Sequence, residues 1–378
     1  MTPKTSPETV ASTTSDTLAS YVTDYRMENG RRYHAYQEGS YWGPNDEQSC
    51  EGESLSHTLY TLTLGGELHL APIKAPQEIL DVGTGTGAWA IQMADKFPEA
   101  QVTGTDLSPI QPDLVPCNCV FEIDDVSLDW TWEENQLDYV HVREMFGSIT
   151  DWDLFCSEAF RCIAPGGYIE VMEHSTWPVS DDESLAPDHF YNVWGQTIKD
   201  LSAKWGKTFD TWKESKALLE RAGFVDVVEK RFKWPMNGWS NDPTLKQLGE
   251  LNQIRLTEHV QGFTLRLLTS AGEVSISITL RIIQANELFS GHYRVSLLRI
   301  TTTTNAGASA DVHLRQSDRH QKRNPLVKPG RRGTKWNYAN RAFASGAHVF
   351  LAEMRNAIKD TNCHAYQDVS VVYGRKPS

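Results

Sequence analysis

Several absences narrow what this 378-residue chain can be. No uninterrupted apolar run approaches the ~18 residues of a membrane-spanning helix, so no membrane segment is expected. Met1–Ala19 is rich in Ser, Thr and Pro and lacks the apolar core of a secretory leader. It reads as part of a disordered tail over residues 1–24, and the cytoplasm is the expected compartment. Cysteine is scarce: there are six, at 50, 117, 119, 156, 162 and 363. The close pair has one residue between, whereas zinc motifs usually have two or more, so reduced cysteines and no metal are expected. Positive charge is also short, with 36 Lys and Arg against 49 Asp and Glu and a formal net charge of −13. That balance argues against attraction to nucleic acid and favours small-molecule or protein partners.

What the chain does have, from Glu78 onward, is short β-rich runs alternating with amphipathic stretches, the pattern of βαβ units around a parallel sheet. Strands are predicted at Ile79–Val82, Val102–Thr105, Cys119–Ile123, Leu137–Val142, Tyr168–Glu173 and Val225–Phe232. Helices are predicted at Ala88–Lys96, at Asp151–Ile163 ahead of Pro165-Gly166-Gly167, and at Thr211–Ala222 ahead of Gly223. A final run, Asp368–Tyr373, ends without a crossover helix and is expected to insert antiparallel beside Val225–Phe232. The result is a seven-stranded mixed sheet with helices on both faces, a Rossmann-like α/β fold. The chain then divides into a lid or cap segment at 25–77, a core at 78–270 and a return to the core at 348–378.

Residues 271–347 break the rhythm. They carry twelve Lys and Arg against four Asp and Glu, a net of +8 that leaves −21 on the remainder. So sharp a reversal marks an inserted basic element, either a long loop or a translated intron. A competing reading makes HQKRNPLVKPGRRGTK a nuclear-targeting or nucleic-acid patch.

The strongest local signal is Asp81-Val82-Gly83-Thr84-Gly85-Thr86-Gly87, where a strand turns into a helix and glycines let backbone approach a ligand. Gly83, Gly85 and Ala88 also satisfy the dinucleotide pattern, so a nicotinamide or flavin enzyme has to be weighed. Asp81 discriminates. A carboxylate there would face a dianionic pyrophosphate unfavourably, yet it can attract the ammonium group of S-adenosylmethionine, directly or through water. Asp106, ending the next strand about twenty residues on, can accept from both ribose hydroxyls. Asp124 or Asp125 can accept from the adenine amino group, with Ile123 or Val126 against the ring.

Together with ENGRRYHAYQEGSYWGPND at Glu28–Asp46, LAPI at Leu70–Ile73, TDLSPIQP at Thr105–Pro112, GSITDW at Gly147–Trp152, APGGYIEVME at Ala164–Glu173 and VVYGRKP at Val371–Pro377, the glycine segment resembles the LaeA-like fungal methyltransferases. These belong to the class I S-adenosylmethionine-dependent superfamily. The resemblance covers roughly 25–270 and 348–377. It implies cofactor binding by Asp81, Gly83, Gly85 and Asp106, with Asp124 or Asp125 near adenine, and an antiparallel last strand. Gly87 and Arg143 join the candidate cofactor set, Arg143 as partner for a carboxylate of cofactor or substrate. It also implies that members pass from a helix like Glu250–Thr269 through a short connector into one like Val349–Lys359.

Residues ending the fourth and fifth strands, His141, Arg143, Glu144, Glu173 and His174, are the candidates on the acceptor side. His174 is the candidate base and Glu173 the candidate partner for an acceptor hydroxyl or amine. Tyr33, Tyr36, Tyr41 and Trp42 read either as a lid over a sulfonium or as a clamp on the core. Trp177, Tyr191, Trp194 and Trp205 read as the lining of a pocket for a planar or apolar metabolite, or as core. Three functions remain open at this level: methylation of an O or N on a small molecule in secondary metabolism, regulation of such metabolism through protein partners, and dinucleotide oxidoreduction.

Overall fold

The computed structural model describes residues 22–270 and 347–378. The basic stretch and most of the N-terminal tail therefore lie outside the described residues. A short hairpin, β1 (Arg26–Glu28) and β2 (Arg31–Tyr33), leads into helix α1 (Glu47–Thr63). Then follow β3 (Glu78–Val82), α2 (Ala88–Lys96), β4 (Gln101–Asp106), β5 (Cys119–Ile123), β6 (Leu137–Arg143), α3 (Trp152–Cys162) and β7 (Ile163–His174). The chain continues through α4 (Phe190–Trp205), α5 (Thr211–Ala222), β8 (Val225–Pro235) and α6 (Pro243–Ser270). Helix α7 spans 347–358, and β9 (Tyr366–Arg375) closes the sheet.

The seven main strands lie in the order β5-β4-β3-β6-β7-β9-β8. Pairing is parallel from β5 through β7, and β9 runs antiparallel to both β7 and β8. The mixed seven-stranded fold expected from the sequence is thus the fold observed, and β9 reaches its place in the sheet despite the basic stretch ahead of it. Local chemistry explains the boundaries. Asp151 caps α3 by accepting from Leu154 N at 2.9 Å, and Gly223, at φ 104°, ends α5 in the left-handed conformation that glycine adopts without strain. Trp89, Ala90, Met93 and Ala94 bury one face of α2 against Ile79, Val102 and Tyr139 of the sheet.

A separate core is formed where Trp42, Phe146, Tyr191, Trp194, Phe209 and Phe350 pack together. Trp194 stacks on Phe350 with centroids 5.5 Å apart and planes 15° apart. This settles two expectations. Tyr191 and Trp194 are core, Trp205 packs on that core, and Trp177 lies against Gly195 of α4, so these four do not line the ligand cavity described below. Trp42 meets Phe146, Phe209 and Phe263 at 5.5–6.0 Å, which makes the aromatic segment a fixed clamp at this residue. The clamp is reinforced by Arg31, whose Nε and Nη2 donate to Asp46 at 2.5 and 2.7 Å, while Asp46 caps α1 through Ser49 N at 3.1 Å.

Candidate active site

The strand order reverses at β3, between β4 and β6, and α/β sheets open a crevice at the carboxyl ends of strands at such a point. A cavity of about 1060 Å³, open to solvent, lies there. Its walls are Gly83–Thr86 after β3, Thr105–Ser108 and Ile110 at β4, Asp124–Ser127 after β5, and Arg143–Met145 with Ser148 and Ile149 after β6. Ser40, Tyr41, Pro44 and Asn45 of the clamp, with Glu53 and Ser56 of α1, form the remaining side.

The glycine turn is shaped for a ligand. Gly83, Gly85 and Gly87 all have positive φ. A Cβ on Gly83 would overlap the Met145 sulfur, and one on Gly85 would stand 2.5 Å from Glu53 Oε2. Asp106 ties the turn to β4: its carboxylate accepts from Gly85 N at 3.0 Å and from Ser108 N at 2.9 Å, and the residue also faces the cavity. Asp124 and Asp125 both reach the wall, with Val126, not Ile123, as the apolar neighbour.

Five candidates occupy other places than expected. Asp81 is buried under the turn, not on the cavity wall; one oxygen accepts from Thr84 Oγ1 at 2.6 Å and the other from His141 Nδ1 at 2.7 Å. Both oxygens are engaged, so Asp81 acts by bracing the turn. Its partner His141 is stacked on Trp89 at 3.7 Å, and burial, only partly offset by Asp81, brings its pKa down to about 4. Gly87 likewise faces Phe121 rather than the cavity. Glu173 is fully buried behind the wall, where it accepts from Met145 N at 2.9 Å, and burial holds its carboxyl well above the usual range. His174 is buried too, with Nδ1 2.8 Å from Ser175 O and Nε2 3.3 Å from Glu144. Neither lines the cavity, so the geometry does not place His174 where a base would meet the acceptor.

Glu144 and Arg143 are the residues of this set that do reach the cavity. Glu144 sits at φ 54°, a left-handed conformation that is strained for a non-glycine residue and that recurs at functional sites. Burial raises its pKa, but His174, Arg255 and Arg143 outweigh this and bring it to about 2. Arg143 donates to His57 Nδ1 at 3.2 Å and lies over the Tyr60 ring.

Sequence reading missed Glu53. It lies on α1, thirty residues before the glycine turn, where it accepts from Thr86 N at 3.2 Å. Burial first, then the neighbouring charges of Asp106 and Glu144, push its carboxyl up to about 8. Four carboxylates (Asp106, Asp124, Asp125 and Glu144), joined by Glu53 once it loses its proton, therefore face one guanidinium, Arg143, across the cavity. A cation suits that balance, and the glycine cradle leaves room for its backbone contacts. A dinucleotide would bring two more negative charges to the same wall.

A family model described as a methyltransferase domain matches residues 59–229. "Methyltransferase pytC" of Aspergillus terreus is 39% identical over 67% of this chain and 78% of its own length. "Secondary metabolism regulator LAE1" of Cochliobolus heterostrophus is 36% identical over 64% of this chain and 81% of its own. "Protein-methionine methyltransferase laeA" of Emericella nidulans is 32% identical over 64% of this chain and 65% of its own.

Proposed function

Because the chain belongs to the LaeA-like family of S-adenosylmethionine-dependent methyltransferases, we propose that it methylates an oxygen or nitrogen of a small molecule in fungal secondary metabolism. The observation that carries this reading is the acidic cavity itself, where carboxylates from four separate segments converge on the glycine turn. When bound, the cofactor supplies a methyl group on a positively charged sulfur. Asp106 would hold the ribose, Asp124 or Asp125 the adenine amino group beside Val126, and Glu144 the positive end. Arg143 would meet the carboxylate of cofactor or acceptor.

Glu53 is the residue proposed to take the proton that the acceptor loses. With a pKa pushed up to about 8 it is a stronger base than an ordinary carboxylate, and it faces the cavity. The clamp residues Tyr41 and Pro44 form one wall of the site. Calorimetry with S-adenosylmethionine tests the first half of the reading. Micromolar binding is expected, and absence of binding refutes it.

The names of LAE1 and laeA favour a second reading, in which this chain regulates secondary metabolism through protein partners. Gene deletion separates the two. Loss of one methylated metabolite supports the tailoring enzyme, and silence of many unrelated metabolites supports the regulator.

A further inference from the structure

Beside the cofactor cavity lies a second one of about 450 Å³, also open to solvent, between α1, α6 and the aromatic clamp. The two share Tyr41, Pro44, Glu53, Ser56 and Glu144 as a common wall. Its own walls differ in character. Trp42 and Phe263 contribute aromatic faces, and Gly52 of α1 and Gly262 of α6 leave the gap that side chains there would fill. A Cβ on Gly52 would press on the His259 ring at 3.1 Å, whereas one on Gly262 would lie 3.6 Å from Arg31 Nη1, ordinary contact.

Two buried polar atoms on these walls are unspent. Arg31 uses Nε and Nη2 on Asp46 and Ser49, but its Nη1 finds no hydrogen-bond partner among the described residues. His259, 5% exposed, leaves Nδ1 equally without one. A buried donor without a partner is destabilising, and a ligand supplying the missing partner would remove that cost. Because Asp46 already balances the Arg31 charge, the fitting partner for Nη1 is a neutral carbonyl oxygen.

Building on the methyltransferase reading above, we propose that this second chamber is the acceptor subsite and that it takes a planar hydroxyaryl ketone or ester. The carbonyl accepts from Arg31 Nη1, the ring packs against the aromatic wall that Trp42 and Phe263 form together, and the hydroxyl points through the shared wall toward Glu53. Glu53 takes the hydroxyl proton as the oxygen bonds to the methyl carbon, and the breaking carbon–sulfur bond leaves its electron pair on sulfur. Its residues come mainly from the clamp, α1 and α6, outside the glycine turn, so a relative can keep the cofactor half and change acceptor.

The test uses the full chain saturated with S-adenosylhomocysteine and 4-hydroxyacetophenone as probe, followed by ligand-observed NMR and calorimetry. Wild type is expected to bind the probe, Gly262→Ala about threefold more weakly and Gly262→Leu at least tenfold more weakly, with S-adenosylhomocysteine affinity within twofold in all three. The Ala variant adds a Cβ at ordinary contact distance, so it carries the test if the Leu variant does not fold. A wild type that binds S-adenosylhomocysteine but not the probe overturns the inference, as does a probe affinity that the series leaves unchanged. Failure to bind S-adenosylhomocysteine overturns the methyltransferase reading beneath it and this inference with it.

Discussion

Replacing Glu53 by Gln is expected to make the protein more stable and less active, and the size of each effect follows from the site. The Glu53 carboxyl is pushed up to about 8 from an ordinary 4.5 by burial and by Asp106 and Glu144. Between those values the folded state keeps a proton that the unfolded chain has lost, so stability falls as pH rises from about 5 to about 8 and levels off beyond. At ~1.4 kcal/mol per pH unit the ceiling over that window is roughly 4 kcal/mol. Solvent reaching this half-buried side chain screens the repulsion, and about 2 kcal/mol is the expected share. Gln carries no proton equilibrium, so the gap in melting temperature between variant and wild type should widen by roughly 4–8 °C from pH 5 to pH 8. Differential scanning calorimetry at the two pH values measures it. In the same variant kcat/KM should lose its acid limb, which in wild type falls about tenfold per unit below pH 8. A melting-temperature gap that stays constant between pH 5 and 8 would refute the reasoning.

Three further perturbations probe the frame around that carboxylate. Asp106→Ala removes the acceptor for Gly85 N and Ser108 N along with the proposed ribose ligand, and should weaken S-adenosylmethionine binding by ~3 kcal/mol, about hundredfold, in calorimetry. Gly83→Ala forces a side chain into positive φ and onto the Met145 sulfur; a loss of ~2–3 kcal/mol in urea unfolding is expected, and unchanged stability would contradict the geometry. Arg255→Met leaves Glu144 and Gln367 without their buried guanidinium, which should cost about 3–5 kcal/mol in urea unfolding and raise the Glu144 pKa, visible by NMR titration.

The sheet was readable because its strands are short runs rich in β-branched and aromatic residues, set off by turn residues. Helix α1 was not, since the side it buries is Gly52, Ser56, His57, Leu59 and Tyr60, with no sustained apolar stripe to announce it. Glu53 was hidden for the same reason, and because its role depends on packing against a turn thirty residues away. Asp81 shows the opposite case. Its charge pointed toward the methyl-donor class, but the carboxylate is committed to Thr84 and His141, a pairing that no linear spacing reveals. The strained backbone of Glu144 is equally silent in sequence, because nothing local favours positive φ for glutamate.

The place of β9 sets an order on how the chain can be assembled. This strand pairs on one side with β7 and on the other with β8, and β8 has no other neighbour in the sheet. During synthesis the glycine turn and the first five strands of the sheet are complete long before Tyr366 is made. Throughout that interval β7 presents an open edge, and the strand that must cover it is separated from α6 by the basic stretch. Nascent chains with unpaired edges are prone to stick to one another, so yield should depend on how quickly the final segment arrives. A ribosome paused between 271 and 347 would hold a protein that already carries most of its cofactor cavity and lacks the strand that closes it.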